Sequence, residues 1–452
     1  MTYHNAVKYV SDAPELDAGN HSLERLSYAS TLLGNPHKKL NYIRLAGSNG
    51  KTICSALLSS VLCKSGYNVC NLTISALDDV RENIRYNTQP ISMADFTESI
   101  QAISEMCNSI RETLSLAKKI LFEEGYLPEE YKDIPVALLD DNGSDFAFSR
   151  AEILLLAALY FYKSKGCDIC VIESAHNTFD PSLFLKPPFA AVICGAIPSD
   201  DKKQMLKIQT YIQRGIQEVI SAPQDTHAYK MISDTCASAN CRLSVPVRSA
   251  LTVKQLSLIG TSFVYSGESY RLSLCGRFQT TNAITVIETL KVLRRCGYNI
   301  SPSTEKAGLT AVKIPSRFEV ISVNPTIICD STYKLEAIET VCESLFDFSE
   351  AVGRTVSLCL PCDTKIVQKY LCMLAERGYT VTDIYTVTSD EASITSLRAA
   401  LPESISLNAF STPKATAKSI LSSISRESLV FVSGRHFFSS AVRRELMRKM
   451  DF

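Results

Sequence analysis

Tyr42-Ile43-Arg44-Leu45-Ala46-Gly47-Ser48-Asn49-Gly50-Lys51-Thr52 is the stretch that decides the fold. A short apolar strand runs into a turn with two glycines, and the segment after it repeats apolar side chains at helical spacing, at Leu57, Leu58, Val61 and Leu62. Gly66 closes that helix, and residues 68–74 read as the next strand. Strand, glycine loop, helix, strand is a βα unit of a parallel sheet. The tight turn aims successive backbone N–H groups inward, the helix start adds positive potential, and Lys51 supplies a full charge, which together cradle phosphate. Thr52 follows, with a hydroxyl suited to Mg²⁺. Leu45 stands where the common P-loop pattern has its first glycine, so the loop is a shortened form.

Working outward, 452 residues exceed one comfortable core and predict two or three domains. Forty-seven basic residues balance 47 acidic ones, so no chain-wide field favours nucleic acid or an anionic membrane. The start, Met1-Thr2-Tyr3-His4-Asn5, lacks a basic segment followed by an apolar run, and the longest apolar stretch, 153–162, is half a membrane span. A cytoplasmic protein is expected. Sixteen cysteines show no paired metal spacing; Cys359-x-x-Cys362 and Cys167-x-x-Cys170 are each isolated, and reduced, structural thiols are expected.

Helical spacing over 23–33 ends at Gly34-Asn35-Pro36, a mostly helical, charged stretch with a loop covers 93–148, and a helix follows at 149–164. Compact apolar runs at 168–173 and 190–194 suit central parallel strands, with further strands at 218–220 and 262–265 before a helix at 279–295. Gly, Pro, Ser and Asn in 297–308 mark a linker. Beyond it, strands at 318–323, 326–329, 356–360, 383–387 and 429–432 alternate with helices at 334–346, 365–377 and 413–423, a second, smaller α/β unit.

Glu173 ends an apolar strand on the carboxyl edge of the sheet, where open α/β folds bind ligands, and its carboxylate suits Mg²⁺. His176 reads as a surface histidine or a metal or acid–base group, and Phe146, Phe148 and Tyr86 as core or as stacking platforms.

The run Leu33-Gly34-Asn35-Pro36 followed by residues 43–51 resembles the opening of folylpolyglutamate synthases and dihydrofolate synthases, of the Mur ligase superfamily. In register follow Ser75, Glu82-Asn83-Ile84, Glu152, Glu173, Pro223-Gln224, Gly276-Arg277-Phe278-Gln279-Thr280-Thr281-Asn282, Arg317-Phe318-Glu319 and Asp330. The resemblance implies a P-loop parallel-sheet ATPase domain at 1–298 and a smaller Rossmann-like α/β ligase domain at 309–452. It implies ATP, glutamate and a folate-like acceptor as substrates; a monomer is expected, and the charge balance predicts no nucleic-acid or membrane partner. A γ-phosphate passes to a carboxylate, and an amine attacks the acyl phosphate.

By the family's pattern Lys51 faces the phosphates, Thr52, Ser75 and Glu173 hold magnesium, and Gln279 and Asn282 line the nucleotide pocket. Arg317 and Asp330 reach ATP from the second domain, and domain closure completes the site. Several family residues are replaced. Ser174-Ala175-His176-Asn177-Thr178-Phe179-Asp180 stands for a glycine-rich stretch, Pro198-Ser199-Asp200-Asp201 for an Asp-His metal pair, and Gln213 for the carbamylated lysine. Asp330-Ser331-Thr332-Tyr333-Lys334 replaces Asp-Gly-Ala-His-Asn, and Ser75-Ala76-Leu77 lacks the usual Pro-His. Three readings follow: a divergent ligase, a catalytically impaired nucleotide-binding paralogue with a regulatory or partner-binding role, and a simple P-loop kinase.

Overall fold

The computed structural model describes residues 1–452 except 15–22, 48, 74–78, 140–145, 175–179, 199, 213–214, 349–352, 426–427 and 451–452. By its contacts the chain divides into two compact units: Met1–Pro246 with Thr285–Gly308, and Val247–Ile284 with Leu309–Phe452. Residues 247–284 thus cluster with the C-terminal unit.

In the first unit the expected central strands form, and each is buried along its whole length, as strands covered on both faces should be. Eight strands run in the order Gln89–Pro90, Ile84–Tyr86, Val69–Leu72, Ile169–Glu173, Tyr42–Ala46, Ala190–Ile193, Glu218–Ser221, Arg242–Ser244. Pairing is parallel except at the first two, which turn back as antiparallel edge strands. Helix Lys51–Lys64 buries Leu57, Leu58, Val61 and Leu62. Each such side chain, fully buried, contributes roughly 1.5–3 kcal/mol.

Helix Arg150–Lys165 matches its expected span and closes the other layer. Ser149 accepts from the Glu152 amide while the Glu152 carboxylate accepts from the Ser149 amide, a capping box. Glu152 also takes a two-pronged ion pair from Arg25, with Arg25 Nε 2.9 Å from Oε1, which ties this helix to Leu23–Leu32. Glu152, one of the residues that carries the resemblance, is here a fully buried scaffold group.

Residues 297–308 contain a helix, Pro302–Ala311, rather than a linker. Ser301 Oγ accepts from the Thr304 amide and Pro302 fits the first turn, so the linker signals are helix-start signals. Gly308 is a close-approach glycine: a Cβ there would stand 2.6 Å from Val61 Cα, and Ser60 Oγ donates to the Gly308 carbonyl at 2.8 Å.

The second unit has a three-stranded antiparallel sheet, Leu251–Ser257, Gly260–Tyr265 and Glu268–Leu272, of which the sequence showed only the middle strand. Its main sheet runs Glu319–Val323, Thr326–Asp330, Leu429–Ser433, Thr355–Cys359, Thr380–Val387, Ser406–Phe410, parallel after an antiparallel edge. Strand Ser406–Phe410 and helices Glu391–Ala399 and His436–Met450 were not expected; their polar, serine-rich composition hides the apolar period.

A disulfide joins Cys70 and Cys167, which corrects the expectation of uniformly reduced thiols. The other 14 cysteines are free. No helix of the described residues is long and apolar enough to cross a membrane.

Candidate functional site

The phosphate loop leaves the sheet at its centre. Strand Tyr42–Ala46 lies between Ile169–Glu173 and Ala190–Ile193, with Leu45 opposite Glu173 and Ala46 opposite Ile193. These registers bring the loop and Glu173 to one carboxyl edge, at the crevice such sheets use for ligands. Gly47 sits at φ +116°, and a Cβ there would meet the Cys194 carbonyl oxygen at 2.2 Å. Both the dihedral and the space demand glycine. Gly50, at φ +80°, caps the start of helix Lys51–Lys64.

Lys51 is buried, and its ammonium donates to the Gly47 carbonyl at 2.6 Å, folded back over its own loop. Thr52 Oγ1 donates to Glu173 Oε2 at 3.3 Å. Lys51, Thr52 and Glu173, named from the sequence, are therefore brought together, with Asn49 on the same turn. Ser48, Ser75, His176 and Gln213 lie outside the described residues. A hydroxyl and a carboxylate that converge at the start of a helix are hard oxygen donors, the kind Mg²⁺ takes, so Thr52 and Glu173 fit that ion.

Three supporting residues carry roles the sequence did not disclose. Gln224 Nε2 donates to the Gly195 carbonyl at 3.0 Å and its Oε1 accepts from the Ile197 amide at 2.8 Å. Gly195 in turn lies against the loop, since a Cβ on it would meet the Asn49 carbonyl oxygen at 2.9 Å. Asn83 donates to the Thr73 carbonyl at 2.7 Å and so fixes the chain just before the segment that holds Ser75. Arg85 is the third: its Nε donates to the Glu82 carbonyl at 3.2 Å and its Nη1 to the Thr88 carbonyl at 3.1 Å, and burial lowers its proton affinity against the opposing charges of Glu82 and Glu173. Its only sequence signal was its place after Glu82-Asn83-Ile84. Beneath the loop, burial pushes the Cys194 thiol well up, with Cys54 as a hydrogen-bond partner, so this thiol stays protonated.

In the second unit Gln279 and Asn282 open helix Phe278–Arg295, after Gly276 at φ +100°. Asn282 Nδ2 donates to Gln279 Oε1 at 3.2 Å, and Gln279 Nε2 is buried without a hydrogen-bond partner among the described residues. Asp330 ends strand Thr326–Asp330, in register with Ser433. Its Oδ2 accepts from the Phe318 amide at 2.8 Å and its Oδ1 from the Thr332 amide at 2.7 Å. Ser316 and Phe318 both have positive φ, +50° and +52°, so Asp330 holds a strained turn whose middle residue is Arg317. Arg317 Nη1 donates to Ser331 Oγ at 2.6 Å, and Ser331 Oγ donates to the Ser316 carbonyl at 2.9 Å. Arg317, Asp330 and Ser331 thus form one corner. Glu319 is paired with Arg443, Nη2 to Oε1 at 2.7 Å, and belongs to the scaffold.

This architecture is a two-unit α/β fold in which a glycine loop leaves the centre of a mostly parallel sheet and a second α/β unit follows. No family model matches the chain. The folylpolyglutamate synthase of Lacticaseibacillus casei is 22% identical over 360 residues, 76% of this chain and 77% of that protein. A probable bifunctional folylpolyglutamate synthase/dihydropteroate synthase of Haloferax volcanii is 21% identical over 365 residues, 77% of this chain; the chain spans only 39% of that longer relative. Among solved structures, a folylpolyglutamate synthase–AMPPCP–folate complex matches with a TM-score of 0.75 at 18% identity, covering 99% of this chain and 100% of the other. The Mycobacterium tuberculosis folylpolyglutamate synthase, complexed with ADP and AMPPCP, matches with a TM-score of 0.76 at 16% identity over 98% of each chain. The structural likeness fixes the fold. The curated proteins that match most of the chain are folylpolyglutamate and dihydrofolate synthases, at 22–23% identity.

Proposed function

We propose that the chain is an ATP-dependent ligase that joins glutamate to a folate-like carboxylate through an acyl phosphate. One observation carries this reading: Lys51, Thr52 and Glu173 converge at the carboxyl edge beside a loop whose first glycine, Gly47, leaves no room for a Cβ. The names of the relatives supply the substrate class, and the folate and ATP-analogue complex supports it. We assign the ATP-binding domain to 1–298 and the C-terminal ligase domain to 309–452. We further propose that the protein acts as a cytoplasmic monomer on small molecules, without a nucleic-acid or membrane partner.

The chemistry needs charge neutralisation and positioning more than covalent help. The amides of residues 47–52 and the Lys51 ammonium bind the phosphates, and Lys51 leaves the Gly47 carbonyl to do so. Thr52 and Glu173, with Ser75, are the residues that would hold Mg²⁺, which when bound neutralises charge on the transferring phosphoryl. Gln279 and Asn282 take the nucleotide role that the resemblance gives them. Arg317 takes the cationic role, and Asp330 positions Arg317 by fixing its turn. The phosphoryl leaves ADP for the substrate carboxylate, the glutamate amine adds to that carbonyl carbon, and inorganic phosphate departs with the proton lost to solvent.

The test is phosphate release from ATP and Mg²⁺ with glutamate and a panel of pteroate and folate acceptors, read beside the product mass and ATP-binding calorimetry. Acceptor-dependent release with a product heavier by one glutamyl unit establishes the ligase. ATP binding with no turnover on any acceptor replaces it by the impaired paralogue, to which the substitutions at residues 198–201 and Gln213 point.

A further inference from the structure

Cys167-x-x-Cys170 looks isolated in the sequence, but the fold supplies a third cysteine from 97 residues earlier. Strands Val69–Leu72 and Ile169–Glu173 pair in parallel with Cys70 directly opposite Cys170. Side chains alternate along a strand, so both sulfurs stand on one face. It is the face of helix Arg150–Lys165, because Asn71, between Cys70 and Leu72, points the other way to Ser55 Oγ at 3.1 Å. That helix ends at Gly166 in the left-handed region, φ +67°, which turns the chain so that Cys167 packs back against the same cluster. The three sulfurs lie within 4.8 Å of one another, Cys70 and Cys170 buried and Cys167 half-buried.

We propose that the reduced protein holds a soft, thiophilic metal ion of the Cu(I) class between Cys70, Cys167 and Cys170. Metal–sulfur bonds of about 2.3 Å set three trigonal sulfurs roughly 4 Å apart, within the spacing seen. Among the described residues no histidine or carboxylate joins the group, so the donor set is all sulfur and three in number. Soft thiolates select soft ions, and three ligands suit Cu(I) better than Zn²⁺, which wants four. Coordination displaces the thiol protons to solvent, one for each sulfur bound, without change in oxidation state. The Cys70–Cys167 disulfide and the metal exclude each other. A dithiol must first supply two electrons and two protons to that bond, and is itself oxidised to a disulfide.

The test uses the full chain, reduced with a dithiol, desalted without air, and titrated with Cu(I) held by a chromophoric chelator. The expected result is one Cu(I) per chain withdrawn from the chelator, with affinity reduced on the order of a hundredfold in each of Cys70→Ser, Cys167→Ser and Cys170→Ser. Cys372→Ser, at an exposed thiol outside the cluster, should bind as the parent does. Thermal melting of the metal-free variants checks folding, and Cys167, half-buried, is the substitution that disturbs the core least. Cys170 is outside the disulfide, so its variant separates a metal site from a merely reducible bond. No withdrawal by the reduced parent, or equal withdrawal by a folded Cys170→Ser protein, overturns the proposal.

Discussion

Glu173 and Asp330 occupy the same topological place in different sheets, each the last residue of a buried parallel strand. Their surroundings give them opposite duties. Both Asp330 oxygens accept backbone amides, so the carboxylate is part of the framework of a turn. Glu173 instead receives a side-chain hydroxyl from the first turn of the phosphate-loop helix, beside Lys51. A carboxylate that satisfies backbone donors builds structure, while one that faces polar side chains at a helix start is placed for a ligand. Residue type and strand position alone do not separate the two.

The comparison breaks most visibly at Asp330. Asp330→Ala should cost about 3 kcal/mol, since it strips a charged acceptor from two amides that stabilise at roughly 1.5–3 kcal/mol each. Chemical denaturation measures this. If stability holds and only nucleotide affinity falls, Asp330 belongs to the ligand and the contrast collapses.

Next in size is Lys51→Ala, which should weaken ATP binding about a hundredfold by calorimetry, equivalent to roughly 2.7 kcal/mol. Stability should move by no more than about 3 kcal/mol, the upper scale for a hydrogen bond with one charged partner, and the chain should stay folded. Unchanged ATP affinity would remove the phosphate-loop assignment. A smaller effect is expected of Glu173→Gln, about tenfold, or ~1.4 kcal/mol, on ATP affinity with Mg²⁺ present. Binding without Mg²⁺ should be nearly unaffected, and an equal loss in both conditions rules out the metal role.

The smallest effect concerns His37, just past the Leu33-Gly34-Asn35-Pro36 turn. Burial, with Lys38 beside it, holds its imidazole below the ordinary 6.5, and Ser30 Oγ bonds its Nδ1. The unfolded chain therefore takes up a proton that the folded one resists. Its contribution is complete above pH 6.5 and is lost as pH falls from there toward the lower folded value. The decline should flatten in His37→Gln when melting is followed against pH.

Much of the first unit was legible because its parallel strands are apolar throughout and its glycines are tied to positive φ. Gly47 and Gly50 announced the loop, and the apolar run at 153–162 announced a buried helix. The second unit was legible in five strands of its main sheet and the middle strand of its antiparallel sheet, but less in its outer helices and the edge strand Ser406–Phe410, where serine, threonine and charge mask the period. Residues 297–308 misled for a physical reason: Ser301-Pro302 starts a helix, and Gly308 lets two helices touch.

The sequence by itself determined the local conformations and the inventory of reactive groups: the loop of residues 47–52, its lysine and threonine, and a carboxylate at a strand end. These follow from backbone sterics and apolar period, which act between near neighbours. Only the tertiary structure decided that Glu152 is scaffold, that Gln224 braces the phosphate loop through Gly195, and that Cys70 stands opposite Cys170. Register between strands and the partner of each buried charge are set by packing across long chain separations. No local pattern encodes them.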